Sequence, residues 1–138
     1  MAFDYWADTF LPSFRDTLDL EVPPGSCRIL AIRPTGDHPQ VLSTSRHVTQ
    51  GVVDLAAEQW DARAGVLSGR SRLVARDPYE LRVVVPGEIG ALTAVRVELP
   101  AAPAGTTAKF KQHENHLRVR LHSPATEEVR WRIVFEQR

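Results

Sequence analysis

The chain is poor in sulfur and in lysine, and it has no long apolar run. One cysteine, Cys27, stands among 138 residues. No internal disulfide can form, and no cysteine-based zinc site can be assembled. Cys27 lies in the apolar stretch SCRILAI, where a free thiol is expected to be buried and inert. No segment reaches the roughly 18 apolar residues of a membrane helix. The start, MAFDYWADTF, lacks the basic flank and apolar stretch of a signal peptide, so no compartment is indicated. Lys plus Arg and Asp plus Glu balance at 17 each, which calls for neither nucleic acid nor a membrane surface as partner. Only Lys109 and Lys111 are lysines, and no GxSxG nucleophile turn is present.

What is present is alternation. In DTLDLEV, Leu18, Leu20 and Val22 share one face. PPG at 23–25 is a turn, and CRILAI reads as a central strand, apolar on both faces. VLSGRSRLVA and YELRVVV are strands separated by RDP. LTAVRVEL puts Val95, Val97 and Leu99 inward. TAKFKQ and HLRVRL form a hairpin around HENH, and EEVRWRIVF turns Val129, Trp131, Ile133 and Phe135 inward. VVDLAAEQWDA is the one helix candidate, but Val52, Val53 and Trp60 suit a strand, so strand followed by turn is expected. The fold class is therefore all-β: residues 1–138 form a single two-sheet antiparallel β-sandwich of the Ig-like, Greek-key type with about eight to ten strands.

The run LSTSRHVTQG, residues 42–51, has the look of a catalytic site. A Ser–His pair needs a strained turn for the nucleophile and a third group to orient the base. On a strand, Ser45 and His47 would sit about 7 Å apart, too far for a relay. The run reads better as a turn whose hydroxyls and amide satisfy backbone groups, with Arg46 or His47 paired at an interface. His113 and His116 offer two nitrogens on a hairpin, where zinc wants three or four ligands, so HENH reads as a solvated turn. The carboxylate pairs Asp4 with Asp8, Glu127 with Glu128, and Asp77 with Glu80 receive no catalytic role. Tyr5, Trp6 and Trp60 are candidates for an exposed sugar-stacking surface. Lys109, Lys111, Arg118, Arg120, Arg130 and Arg132 would build one basic docking face if the last three strands are neighbours.

The ordered segments FDYW, LDLEVPPGSCRILAIRP, HPQVLSTSRHVTQG and WDARAGVLSGRSRLVARDPYELRVVVP resemble the C-terminal β-sandwich region of α-galactosidase-like (melibiase-type) glycoside hydrolases. That pattern includes a DFW-like start, a PPHS-like turn and an LSTSRH(I/V)TQG run. Gly25 stands where the family commonly has His, and the resemblance covers residues 3–86. It implies an accessory domain cut from, or following, a (β/α)8 barrel that carries the catalytic aspartates. No aspartate of this chain inherits their role. On this reading the chain is not itself an enzyme and needs no cofactor or metal. Its partner is the catalytic barrel, with carbohydrate as a second candidate. Tyr5, Trp6, Arg46, His47 and Trp60 are the candidate sugar or domain-interface contacts. The rival readings are a carbohydrate-binding module and a protein-interaction module using the basic face.

Overall fold

The computed structural model describes residues 1–88 and 91–137. Eleven strands run in chain order: β1 (Ala2–Asp4), β2 (Thr9–Leu11), β3 (Leu30–Ile32), β4 (Gln40–Thr44), β5 (Leu55–Asp61), β6 (Val66–Leu73), β7 (Tyr79–Val84), β8 (Leu92–Glu98), β9 (Thr107–His113), β10 (His116–His122) and β11 (Glu127–Gln137). No helix is present among the described residues. Two four-stranded antiparallel sheets, ordered β4-β7-β10-β9 and β5-β6-β11-β8, form the sandwich. A third sheet, β2-β1-β3, lies on the outer face of the first and makes three layers.

Side-chain period explains the sandwich core. Successive strand residues point to opposite faces. In β10, Leu117, Val119 and Leu121 are buried; in β11, Val129, Trp131, Ile133 and Phe135 are buried as the alternation requires. Tyr79, Leu81 and Val83 of β7 meet them in one continuous core. Strand β7 is buried on both faces, because the third sheet covers the other one. There Phe3, Met1 and Leu42 make a second small core, with Phe10, Ala31 and Val84 around it. Phe3 also carries the Arg82 guanidinium 4.1 Å above its ring, a cation–π contact away from bulk water.

Several expectations need correction. The stretch 16–22 forms no strand: it finds no partner ladder, and alternation without one does not make a sheet. CRILAI is not central. Only Leu30–Ile32 pair, at the edge of the small third sheet, and Cys27 is exposed rather than buried. The 52–62 segment is a strand, β5, followed by a turn from residue 62, as expected, but its first three residues, 52–54, belong to a preceding turn, so Val52 and Val53 are not strand residues. Val95 points outward and Ala94 inward, because a register shift between Val134 and Phe135 on β11 displaces the pairing with β8. The six-cation face does not form: β9 and β10 belong to the first sheet and β11 to the second, so Arg130 and Arg132 leave the group.

The open sides of the sandwich are closed by single side chains. Gln112 of β9 accepts from the Ala94 amide (2.8 Å) and donates to the Leu92 carbonyl (3.0 Å) of β8. Glu58 of β5 accepts from the Val41 amide of β4 (2.7 Å). Within the second sheet, Gly69 lies directly opposite Trp131. A Cβ there would collide with the indole ring and with the Ala57 carbonyl oxygen. The carbonyl is fixed by the strand backbone, and the indole by full burial and its bond to Ser71, so the site cannot relax cheaply. Gly69→Ala is expected to destabilise the fold by about 1–3 kcal/mol. In urea titrations this appears as a lower midpoint with an unchanged slope; an unchanged midpoint would mean that the indole shifts freely.

Candidate functional site

Strand β4 ends at Thr44, and the chain folds back on itself. The Gln50 amide donates to the Arg46 carbonyl (2.9 Å), and the Thr44 amide to the Gln50 carbonyl (3.1 Å). Gln50 and Gly51 take positive φ (44° and 112°), which lets the turn close; Gly51 is the residue there with no Cβ penalty. Asp54 sits under this turn, almost fully buried. One carboxylate oxygen accepts from Thr44 Oγ1 (2.7 Å) and Tyr79 OH (2.7 Å). The other accepts from Thr49 Oγ1 (2.6 Å) and the Gly51 amide (3.1 Å). The chain of bonds continues: Ser71 Oγ accepts from Trp131 Nε1 (2.9 Å) and donates to the Tyr79 phenol oxygen (3.2 Å), whose own proton goes to Asp54. Burial acts to raise the Asp54 carboxyl, but donation from Thr49, Thr44 and Tyr79 outweighs it and holds the group below the usual carboxylate range. Burial, with the Asp54 charge beside it, pushes the Tyr79 phenol far up, so it remains a donor.

The remaining hydroxyls are also committed. Ser43 Oγ lies 3.0 Å from Gln50 Oε1 and donates to it. Ser45 exchanges two bonds with Glu80 of β7: its amide donates to the Glu80 carbonyl, and its Oγ accepts from the Glu80 amide, both at 2.9 Å. His47 hydrogen-bonds neither serine among the described residues; its ring packs against Tyr5 (5.1 Å) and Trp6 (4.7 Å). Arg46 pairs with Asp77 and lies 5.3 Å over the Tyr79 ring. The tract is a folded turn tied to both sheets.

Three of the five candidate contacts come together, while Arg46 turns to Asp77 and Tyr79. Tyr5, Trp6 and His47 form one aromatic cluster, and Tyr5 OH donates to the Ser45 carbonyl (3.3 Å) beside Arg46. Trp60 is elsewhere, on β5, between His38 (6.3 Å) and Phe135 (5.8 Å). Tyr5 and Trp6 meet edge to face at 84°, so they do not form a flat platform.

Two constellations were missed in the sequence. Asp54 lies inside an apolar run, and a lone carboxylate between Val53 and Leu55 is the available signal. The second lies beneath the turn between β1 and β2. Glu80 accepts from Arg82 (3.2 Å), Arg118 (2.9 Å) and Arg120 (2.8 Å), and Asp8 pairs with Arg82 (3.3 Å) and Arg118 (2.9 Å). An open cleft of about 340 Å³ lies over these groups, between Asp8, Ser45 and Arg120. No sequence signal brings Asp8 to Arg118, since the contact spans the chain. HENH is only partly a solvated turn: His113 is exposed, but His116 stacks on Phe10 at 4.2 Å and is half-buried. Among the described residues no three His, Cys, Asp or Glu side chains converge to hold a metal.

Beside the aromatic cluster, Val48 and Val52 stand 79% and 88% exposed, with Val53 and Ile32 also outside. Ile32, Val48 and Val52 border a groove of about 540 Å³ between β3, the 48–52 turn and β5, walled also by Leu42, Leu55 and Ala57. Comparison with protein-family models, with curated proteins and with solved structures found no match to this chain.

Removing the Asp54 carboxylate leaves four donors behind, three of them hydroxyls. Asp54→Ala is expected to cost about 3 kcal/mol or more, by chemical denaturation. The pH dependence carries a definite sign. A carboxyl held lower in the folded than in the unfolded chain stabilises above the unfolded value of about 4, and that contribution is lost as pH falls through the folded value. The stability gap between the native protein and Asp54→Asn is therefore expected to shrink as pH falls below about 4. A gap independent of pH would show that the ionised form of Asp54 is not what the turn binds.

Proposed function

We propose that this chain is a non-catalytic accessory module that packs its 46–53 turn and the adjoining Trp6 against a second folded domain. The observation that carries this reading is the pairing of a rigid base with an apolar surface. The turn is fixed from below by Asp54, yet it presents Val48, Val52 and Val53 to solvent beside Trp6, which is 54% exposed. Contiguous exposed apolar side chains on a rigid support are the mark of an interface. The resemblance of LSTSRHVTQG and its flanking segments to melibiase-type enzymes supplies the partner, a (β/α)8 glycoside hydrolase barrel. The hydroxyls of the run are spent on structure, which favours packing over acyl transfer.

Val48→Glu combined with Val52→Glu tests this. Both sites are exposed, so the stability of the chain itself should change by less than about 0.5 kcal/mol. Fused behind a melibiase-type barrel, the same pair should lower the melting temperature of the barrel by several degrees; no change would overturn the docking reading. Calorimetry with galactose and melibiose, and a chromogenic α-galactoside assay, should both be flat for the chain alone. Saturable binding of a neutral sugar, lost on Trp6→Ala, would replace the proposal with a carbohydrate-binding module. Turnover lost on His47→Ala would replace it with an enzyme.

A further inference from the structure

The outer face of the β9–β10 hairpin carries an arrangement that folding alone does not favour. Three consecutive cross-strand pairs match like with like: His113 opposite His116, Lys111 opposite Arg118, and Lys109 opposite Arg120. Like charges directly opposite in an antiparallel pair are destabilising. Glu80 and Asp8 neutralise Arg118 and Arg120 from the β7 side. Lys109 and Lys111 make no ion pair among the described residues, and both are exposed. At the end of this array, Phe10, Lys111, His113, His116 and Arg118 line an open cleft of about 330 Å³. Phe10 forms one wall, with His116 stacked on it and the Arg118 guanidinium 5.7 Å from its ring centre.

We infer that this face binds the carboxylate or sulfate groups of an acidic glycan, with Lys109 and Lys111 as its principal cations. Lysine on an edge strand also deters strand pairing, but that role asks for charge on β9 alone. The cations opposite on the interior strand β10, Arg118 and Arg120, are held by Glu80 and Asp8, which leaves the two lysines as the charge of this face without an ion-pair partner among the described residues. A protein partner fits poorly, since interface cores are apolar and depleted in lysine, and the large exposed apolar residue of β9, Phe110, lies on its other face. Nucleic-acid binding goes with a strongly basic domain, whereas this chain has no net charge. A linear polymer with repeated oxyanions fits a flat array whose cations recur roughly every 7 Å along each strand. The inference is independent of the docking reading, which uses a different face.

The test is affinity of the intact chain for heparin (sulfate esters) and polygalacturonate (carboxylates), with dextran, poly-glutamate and duplex DNA alongside. Binding to one or both acidic glycans is expected, and which one binds identifies the oxyanion. Affinity should fall about tenfold or more as salt rises from about 0.05 to 0.2 M. Lys109→Gln with Lys111→Gln should weaken it by a further tenfold or so, while Trp6→Ala leaves it unchanged. Both lysines are exposed, so the double variant should melt like the native chain. Absence of binding to either glycan, binding that survives the double substitution, or equal retention of poly-glutamate or DNA would overturn the inference.

Discussion

A buried carboxylate that pairs with no cation among the described residues governs this fold. Moving an ion out of water costs several kcal/mol even after relaxation, and most buried acids meet that cost with an arginine or lysine. Asp54 meets it with four hydrogen-bond donors, two from the turn that follows β4, one from the end of β4 and one from β7. Bonds to an ionised acceptor are about twice as strong as neutral ones, so four of them can hold the charge. The donors arrive only when the turn is closed and the two sheets are stacked. Thr44 and Tyr79 belong to the first sheet, and Ser71 and Trp131, which complete the chain of bonds, to the second. The carboxylate thus couples the closing of one turn to the packing of the whole sandwich. That coupling explains how a loop so rich in functional side chains stays rigid while exposing Val48 and Val52.

The other charged constellation obeys the opposite logic. Glu80, Asp8, Arg82, Arg118 and Arg120 share charge at the boundary between the first sheet and the third. Burial lowers the Arg82 guanidinium, and Glu80 and Asp8 act against that fall. The same guanidinium lies over Phe3 and donates to the Thr44 carbonyl (2.8 Å). The third sheet is therefore attached by an aromatic ring, a cation and a carboxylate at once. This is enough to order three short strands that could not stand alone.

The sandwich is legible where its strands alternate, above all in β10 and β11. Val129, Trp131, Ile133 and Phe135 can be placed inward from sequence alone, as can the hairpin around HENH. What stayed hidden depends on contacts between distant residues. Nothing local distinguishes DTLDLEV, which alternates but has no partner, from HLRVRL, which has two. The N-terminal sheet escaped notice because strands of three residues carry almost no period. The aromatic cluster of Tyr5, Trp6 and His47 was half visible, since each residue stood out while their meeting depended on β1 crossing over β4 and β7. Trp60 stood out equally and went elsewhere.

On both sides of the sandwich, side chains cover part of a strand edge. On one side, Gln112 supplies an amide that stands in for a missing strand, taking one donor and one acceptor of β8. On the other, Glu58 takes the Val41 amide, Arg33 donates to the Val41 carbonyl, and the two side chains pair with each other at 2.8 Å. The Gln50 carbonyl covers the Thr44 amide further along the same edge. An edge whose donors and acceptors are already engaged does not template strand addition. The groove bordered by Ile32, Val48 and Val52 is built on this covered stretch of β4, and it offers shape and apolar surface. Recognition there rests on complementary packing, for which a folded domain with a fixed surface is better suited than an extended peptide.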